Sequence, residues 1–203
     1  MKDKKALDDI DKAIIAAMAE NARISFTEIG EKIGLSHVSI RERFLKLIKS
    51  GAIKTVSAIN PEILGLELAY ILLKTDGITT TRKIVEKYKN CPRILKISTV
   101  MGEYDIVALV YSEDKKQLEI TIGNCIMKES QGIKQRSVLT IGQHVEPHFV
   151  HIRPIDKLVG KEKMCNMDCE HCEEYIHGSC YGCPASKLYR GPFKFTIEIN
   201  TKK

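Results

Sequence analysis

Residues 25–53 read SFTEIGEKIGLSHVSIRERFLKLIKSGAI, and this stretch predicts two short helices joined by a tight turn. Ser25 and Glu28 have the spacing of a capping box, in which a hydroxyl and a carboxylate satisfy backbone donors at a helix start. Gly34 is placed to end the first helix, because glycine adopts the left-handed backbone conformation at little cost. The stretch therefore predicts a helix-turn-helix.

The second helix is predicted to begin at a cap on Ser36 and to run to about Lys49, with Gly51 just past its end. Its inward face is apolar and consists of Ile40, Phe44 and Leu47. A polar and basic outer surface suits the major groove of double-stranded DNA. A helical hairpin with a solvated charged face gives the same pattern. The predicted DNA-contacting residues are Ser36, His37, Ser39, Arg41, Arg43 and Lys46.

Two arginines of this helix, Arg41 and Arg43, cannot both face the floor of a groove. At about 100° per residue, their side chains point roughly 200° apart. Arg41 lies nearer to His37 and Ser39, so we select it for a base or phosphate contact. Arg43 is the alternative candidate for bracing the hairpin.

Composition limits the class of partner and the compartment. The chain has 203 residues, a net charge of +6 and a pI near 8.9, which suit a negatively charged partner. Aromatic residues make up 6% and Trp is absent, which disfavours recognition of single strands by stacking. The sequence contains neither a secretory signal nor an apolar run long enough to span a membrane. We therefore expect a cytoplasmic protein whose seven cysteines are metal ligands or redox groups.

Outside this stretch, the first part of the chain adds a helix and a strand. Residues 6–21 are predicted to form a helix, with an apolar stripe that would pack on the hairpin to make a three-helix unit. Residues 53–59 alternate enough to predict a strand, and Asn60 and Pro61 break it. This break is the first predicted domain boundary.

The middle of the chain predicts a split βαββαβ arrangement, in which a sheet buries one face under two helices. The predicted elements are strand 68–73, helix 79–88, strands 94–100 and 106–111, helix 115–128 and strand 138–141. With the preceding helices, this order makes the chain an α+β protein.

A family resemblance runs through both of these parts. The residues that carry it are, in chain order, Leu7-Asp8, Asp11, Ile14, Asn21-Ala22-Arg23, Gly34-Leu35-Ser36, Arg43, Leu47, Gly51-Ala52-Ile53, Asn60-Pro61 and Met101-Gly102-Glu103-Tyr104-Asp105. Residues 6–145 are thereby similar to the Lrp/AsnC (feast/famine) transcription regulators. The resemblance implies a winged helix-turn-helix, a strand linker and a ferredoxin-like sensor domain. It also implies dimers or larger rings, often octameric, and an amino acid or other small effector bound between sensor domains.

The resemblance assigns a role to one loop and sets the domain boundaries. Gly102, Glu103, Tyr104 and Asp105 match the family turn that lies at a subunit contact and helps to frame an effector pocket. From the residues alone, the same loop is a hairpin turn in which Asp105 bonds locally. The predicted domains are the DNA-binding domain 1–60, the effector and oligomerisation domain 61–145, the connector 146–163 and a Cys-rich module 164–203.

The Cys-rich module carries five cysteines within nineteen residues: Cys165, Cys169, Cys172, Cys180 and Cys183. The last four form two Cys-x-x-Cys pairs, and two such pairs can aim four thiolates at one metal ion. Zinc needs only these pairs, whereas Cys165 completes a spacing similar to that of [4Fe-4S] sites in radical-SAM enzymes. The sequence therefore predicts one metal centre, either Zn²⁺ or a [4Fe-4S] cluster. Similar small Cys-rich modules are found attached to prokaryotic, especially archaeal, proteins. The usual Lrp/AsnC regulators lack such a module.

The remaining candidates are weaker. Cys91 and Cys125 have no neighbouring cysteine and are expected to be packed thiols. The histidines at 144, 148 and 151 are spaced as on a strand edge and are expected to be ordinary surface or packing residues. The alternating pattern of residues 193–199 predicts a half-buried strand, which indicates a folded module.

These features predict a sequence-specific, DNA-binding transcription regulator that responds to a small effector, to a metal or redox signal at the cysteines, or to both. Sirohaem decarboxylases share the architecture of the resembling family and provide an enzymatic alternative. A redox relay to another protein through the cysteines is a third hypothesis. The regularly capped, basic second helix favours the regulator.

Overall fold

The computed structural model describes residues 7–124, 131–143, 149–152 and 168–192. The chain divides into two compact units, residues 1–57 and 58–203. Within the described residues, no helix combines the length and the apolar character needed to cross a membrane.

The first unit consists of three helices, α1 (Asp9–Glu20), α2 (Phe26–Ile33) and α3 (His37–Ser50). Each begins at a side-chain cap, and the α2 capping box is complete, with reciprocal bonds between Ser25 and Glu28. Gly34 and Gly51 end α2 and α3 in the left-handed conformation, at φ 74° and 73°. The helix-turn-helix predicted from the sequence is confirmed.

The core of the first unit is small and apolar. Ile14, Ile29, Ile40 and Leu47 are fully buried or nearly so, and Phe44 packs against them from α3. The inward stripe of each helix thus follows from the helical spacing of its apolar residues.

The strand predicted for residues 53–59 is wrong. Residues 53–58 form no strand, and Ile59 makes only an isolated bridge, in which it exchanges backbone hydrogen bonds of 2.9 Å with Val150. A strand needs a neighbouring strand to pair along its length, and alternation in the sequence does not show whether one is present.

The second unit contains a four-stranded antiparallel sheet with two helices, in the predicted βαββαβ order. Its elements are β1 (Glu67–Thr75), α4 (Ile78–Tyr88), β2 (Ile94–Thr99), β3 (Ile106–Ser112), α5 (Lys115–Asn124) and β4 (Ile133–Thr140). The strands are ordered β2-β3-β1-β4. The predicted α+β fold is confirmed, and β4 begins at Ile133 rather than at residue 138. Its first half is polar and largely exposed, so no apolar run marks it.

The two faces of the sheet differ in what covers them. On one face, Ile71, Leu73 and Ile106 pack with Ile84 of α4 and Leu118 of α5 to form the main core. Cys91 packs against this core, as expected of a packed thiol.

On the opposite face, the segments that the structure describes cover one end. There Leu68 and Tyr111 contact Ile152, and Val150 packs beside them. Farther along the same face, Tyr70 is 40% exposed and Leu139 is 55% exposed. This face therefore keeps large apolar side chains at the surface of a single copy of the chain.

The described part of the Cys-rich module is residues 168–192, here called the cysteine-rich segment. It contains one short helix, α6 (Glu173–Ile176), between its two pairs of cysteines. Cys165, Cys125, His144, His148 and the strand predicted for residues 193–199 lie outside the described residues. His151 lies next to the bridging Val150 and is half-buried.

Candidate DNA-binding interface and effector loop

The start of α3 is defined by two serine hydroxyls. The Ser36 Oγ accepts the backbone N–H of Ser39 at 3.3 Å and donates to the Ser39 Oγ at 3.1 Å. His37, the first residue of α3, is exposed. Ser36 and Ser39 therefore help to fix the helix end from which a recognition helix contacts bases, and His37 projects there.

The exposed face of α3 combines cationic and apolar side chains. Arg41 and Lys46 are exposed, and Val38 and Leu45 remain 51% and 48% exposed. At about 100° per residue, Val38, Arg41 and Leu45 lie within an arc of about 60°. Apolar side chains in a major groove contact the thymine methyl group.

The polar and basic pattern of α3 did not point to Val38 and Leu45 as candidates. The available signal was their position on α3, away from the inward stripe formed by Ile40 and Leu47.

Arg43 points across the first unit instead of joining this exposed face. Its Nη1 bonds the Asp8 carboxylate at 2.6 Å and the Asp11 carboxylate at 3.0 Å. Asp8 also caps α1, since its carboxylate accepts the Asp11 N–H at 2.7 Å. This cap bond is the largest cause of a lowered pKa of Asp8, and the hydrogen bond from Arg43 is the next. The pKa of Arg43 is raised by the same carboxylates. The contacts thus support the bracing role for Arg43, and its contact with DNA stays a prediction.

The turn between α2 and α3 depends on a glycine that sequence analysis overlooked. Gly30 is buried in α2, and its carbonyl accepts the Leu35 N–H at 2.9 Å. A Cβ at residue 30 would lie 2.3 Å from the Leu35 carbonyl oxygen, closer than any real contact. The approach of α2 to the turn therefore requires glycine at this position.

The loop 102–105 connects β2 to β3 in the second unit, and Asp105 ties it to the end of β1. The Asp105 carboxylate accepts from the Thr75 N–H at 2.9 Å, the Thr75 hydroxyl at 3.1 Å and the Lys74 ammonium at 3.0 Å. The Thr75 backbone bond, and then Lys74, hold the pKa of Asp105 below its usual value. Lys74 and Thr75 lie 31 and 30 residues away along the chain, so the Asp105 carboxylate bonds the neighbouring strand and not its own turn, and the local bonding expected of a hairpin turn is wrong.

The rest of the loop faces outward. Tyr104 accepts a bond from Gln135 of β4 at 3.1 Å, while Met101 and Glu103 are exposed. Gly102 has φ 151°, a conformation that favours glycine. A role of these residues in binding an effector stays a prediction.

The four described candidate metal ligands lie around α6. Cys169 is buried, and Cys172, Cys180 and Cys183 are half-buried. Within the described ranges, no three Cys, His, Asp or Glu side chains already form a group that could hold a metal ion.

Comparison with known proteins identifies relatives of this chain. Residues 7–48 match the AsnC-type helix-turn-helix domain. The HTH-type transcriptional regulator FL11 of Pyrococcus furiosus is 34% identical over 114 residues, which cover 55% of this chain and 75% of that protein. The HTH-type transcriptional regulator Ptr1 of Methanocaldococcus jannaschii is 34% identical over 113 residues, covering 55% of this chain and 76% of Ptr1.

Solved structures share the fold. The crystal structure of PH0061 matches with a TM-score of 0.67 at 20% identity, covering 71% of this chain and 98% of PH0061. Escherichia coli AsnC matches with a TM-score of 0.60 at 20% identity, covering 68% of this chain and 94% of AsnC. The L-Met complex of NMB0573 from Neisseria meningitidis matches with a TM-score of 0.61 at 19% identity, covering 76% of this chain and all of that one.

A helix-turn-helix followed by an antiparallel α+β sheet domain defines a DNA-binding regulator with two units. The chain belongs to the Lrp/AsnC family of transcription regulators. The comparisons give no support to the enzymatic alternative, since these relatives are described as transcriptional regulators.

Proposed function

We propose that this chain is a cytoplasmic, homodimeric regulator that inserts α3 into the major groove of a two-fold symmetric DNA site and responds to a small effector. The observation that carries the proposal is that the two arginines of α3 have different surroundings. Arg43 is held by Asp8 and Asp11, whereas Arg41 stands exposed beside Val38 and Leu45. One arginine thus stabilises the recognition helix, and the other is available to DNA.

Arg41→Ala is expected to weaken specific DNA binding by about 1–3 kcal/mol, because it removes a base or phosphate contact. The melting temperature should not change, since Arg41 is exposed. The measurement is a titration of an operator fragment, selected from the protein's own promoter, at several salt concentrations. Loss of selectivity would indicate a base contact, and a salt slope smaller by about 1 would indicate a phosphate contact.

The matched control is Arg82→Ala. Arg82 is an equally exposed arginine on α4 of the second unit, so this variant makes the same change in net charge. Equal operator affinities for Arg41→Ala and the wild type would contradict the assignment.

Dimerisation is supported by the partly uncovered face of the sheet. Tyr70 and Leu139 expose apolar surface there beyond the end covered by Ile152, and a second copy could bury it. A single helix-turn-helix also contacts few bases, so a dimer reading two half-sites would increase selectivity.

We expect a dimer or larger oligomer at micromolar concentration and half-sites about one helical turn, roughly 34 Å, apart. Light scattering measures the assembly, and footprinting measures the spacing. Tyr70→Asp/Leu139→Asp should shift the assembly toward monomer, whereas Ile63→Asp, at an 81% exposed position preceding β1, is the control. A wild-type monomer, or protection of a single half-site, would refute the dimer.

The effector proposal rests on the exposed part of loop 102–105. Asp105 anchors the loop to β1, which leaves Glu103 at the surface to contact a partner copy or a ligand. The structure of NMB0573 from Neisseria meningitidis is an L-Met complex. Amino acids are therefore the first class of effector to titrate against the DNA-bound protein.

A further inference from the structure

The cysteine-rich segment is fastened to the sheet by a buried polar network. Arg93 and Glu113 form an ion pair at 2.7 Å, and their side chains are only 5% and 1% exposed. Arg93 Nη2 also donates to the Gly182 carbonyl at 3.0 Å, and the Tyr189 hydroxyl donates to Glu113. Burial, and then the bond to Glu113, raises the pKa of Tyr189, so its phenol stays protonated. The segment is thus docked at two of its residues.

A second contact reaches one of the cysteines directly. Gln117 of α5 is 1% exposed, and its Nε2 donates to the Cys180 Sγ at 3.6 Å. The Gln117 Oε1 accepts the Tyr181 N–H at 2.6 Å. The Gly182 N–H also donates to the Cys180 Sγ, at 3.3 Å, from a left-handed backbone with φ 82°. One sulfur therefore accepts hydrogen bonds from two N–H donors.

Such donors suit a sulfur that binds a metal. A neutral thiol is a weak hydrogen-bond acceptor, whereas an ionised acceptor forms bonds roughly twice as strong. The thiolate is also the form that binds metals. Side chains that hydrogen-bond a ligand from outside typically orient it toward the metal. The surroundings of Cys180 are those of a metal ligand rather than of a packed thiol.

The backbone places the start of the second cysteine pair beside α6, which follows the first pair. The Cys169 carbonyl accepts the Cys172 N–H at 3.4 Å, which makes a tight turn of the first pair. Cys172 then caps α6, and the Cys180 N–H donates to the carbonyl of Glu174 in that helix at 2.8 Å. The second pair therefore starts beside the helical turn that follows the first.

We propose that Cys169, Cys172, Cys180 and Cys183 bind one metal centre through four thiolates, with Gln117 as a positioning residue. On binding, each cysteine would release its proton to solvent, and the four thiolates would hold the two turns together around α6. Zinc and a [4Fe-4S] cluster share this ligand chemistry.

The centre would be coupled to the sheet at the end away from the predicted effector loop. Arg93 precedes β2 and Glu113 follows β3, whereas loop 102–105 joins the other ends of these two strands. Gln117 lies next to Leu118, which belongs to the main core. Metal binding would thus act on α5 and on the end of the sheet opposite the effector loop.

The ligand set is tested by metal content of the full-length protein purified without oxygen. Elemental analysis should find about one zinc, or about four irons with the brown absorption of a cluster, per chain. Changing any of the four cysteines to Ser should lower the content at least fivefold. Cys91→Ser, in the main core, is the control and should keep the metal. Less than about 0.2 metal per chain in the wild type would overturn the proposal.

Cys165→Ser is a further arm of this experiment. Retention of the centre in this variant supports the four-cysteine set. Loss of the centre in Cys165→Ser, with retention in any one of the four other variants, overturns it.

The role of Gln117 is tested by zinc or cobalt titration of metal-stripped protein. Gln117→Leu removes the bonds to Cys180, to the Tyr181 N–H and to the Thr121 hydroxyl, whereas Gln117→Glu keeps an acceptor for the Tyr181 N–H and removes the Nε2 donor that Cys180 and Thr121 share. Both should weaken metal binding by about 10- to 100-fold and shift the thiolate-to-cobalt absorption bands. Circular dichroism checks that both variants are folded. Unchanged affinity and bands in Gln117→Glu would overturn the positioning role, since the donor to the sulfur is lost there.

Discussion

Replacing Arg93 with Met is expected to lower the free energy of unfolding of the second unit by about 3–5 kcal/mol. Arg93 and Glu113 are almost completely buried, so the variant leaves a carboxylate without its cationic partner in a site of low dielectric. The Gly182 carbonyl loses a donor as well, and the cysteine-rich segment should open. Hydrogen exchange resolved by mass spectrometry measures both effects and localises them.

A double variant separates the effect of the unpaired Glu113 charge on stability from the effect of the lost Arg93 packing. Arg93→Met/Glu113→Gln keeps an acceptor for the Tyr189 hydroxyl and removes the unpaired charge, so it should recover much of the lost stability. Lys89→Met is the control, because it removes an exposed ion pair with Glu86 and should cost at most about 1 kcal/mol. Equal free energies of unfolding for Arg93→Met and Lys89→Met would show that burial does not determine how much the Arg93–Glu113 pair contributes to stability.

Gly30→Ala is expected to destabilise the first unit by about 1–3 kcal/mol and to weaken operator binding. The added methyl group would meet the Leu35 carbonyl oxygen at 2.3 Å, and a backbone atom cannot rotate away. Relief requires moving α2 from the turn, which changes how α3 is presented to DNA. Thermal unfolding of the first unit and operator titration measure the two consequences.

Helix propensity alone predicts that Gly30→Ala stabilises the first unit. The sign of the change in its free energy of unfolding therefore distinguishes the two explanations. In a helix interior without crowding, Ala is more stabilising than Gly by about 0.5–1 kcal/mol. Gly34→Ala is the matched control, because no atom lies within 4 Å of the added Cβ and only the φ of 74° opposes it. That variant should cost about 1–2 kcal/mol without displacing the turn. A stabilised Gly30→Ala protein would rule out the close approach.

The features that depend on neighbouring residues were predictable from the sequence. The capping box at Ser25 and Glu28 is a contact between residues three apart, as is the cap at Ser36. Gly34 and Gly51 end helices for reasons of local backbone geometry. The βαββαβ order also followed from the chain order of apolar runs, and the structure has that order. Helix caps, helix-ending glycines and the spacing of apolar residues depend on residues close together in the chain. A short stretch of sequence is therefore enough to predict them.

The contacts between side chains distant in sequence became known from the tertiary structure. It showed that residues 53–58 form no strand and that Arg43 bonds carboxylates on α1. It also brought Gln117 to Cys180 and Arg93 to Gly182. Each such contact joins residues distant in sequence, so its distance depends on how whole elements pack rather than on the pattern around either residue. The polar residues that dock the cysteine-rich segment were therefore recognisable only once the sheet and α5 had placed them together.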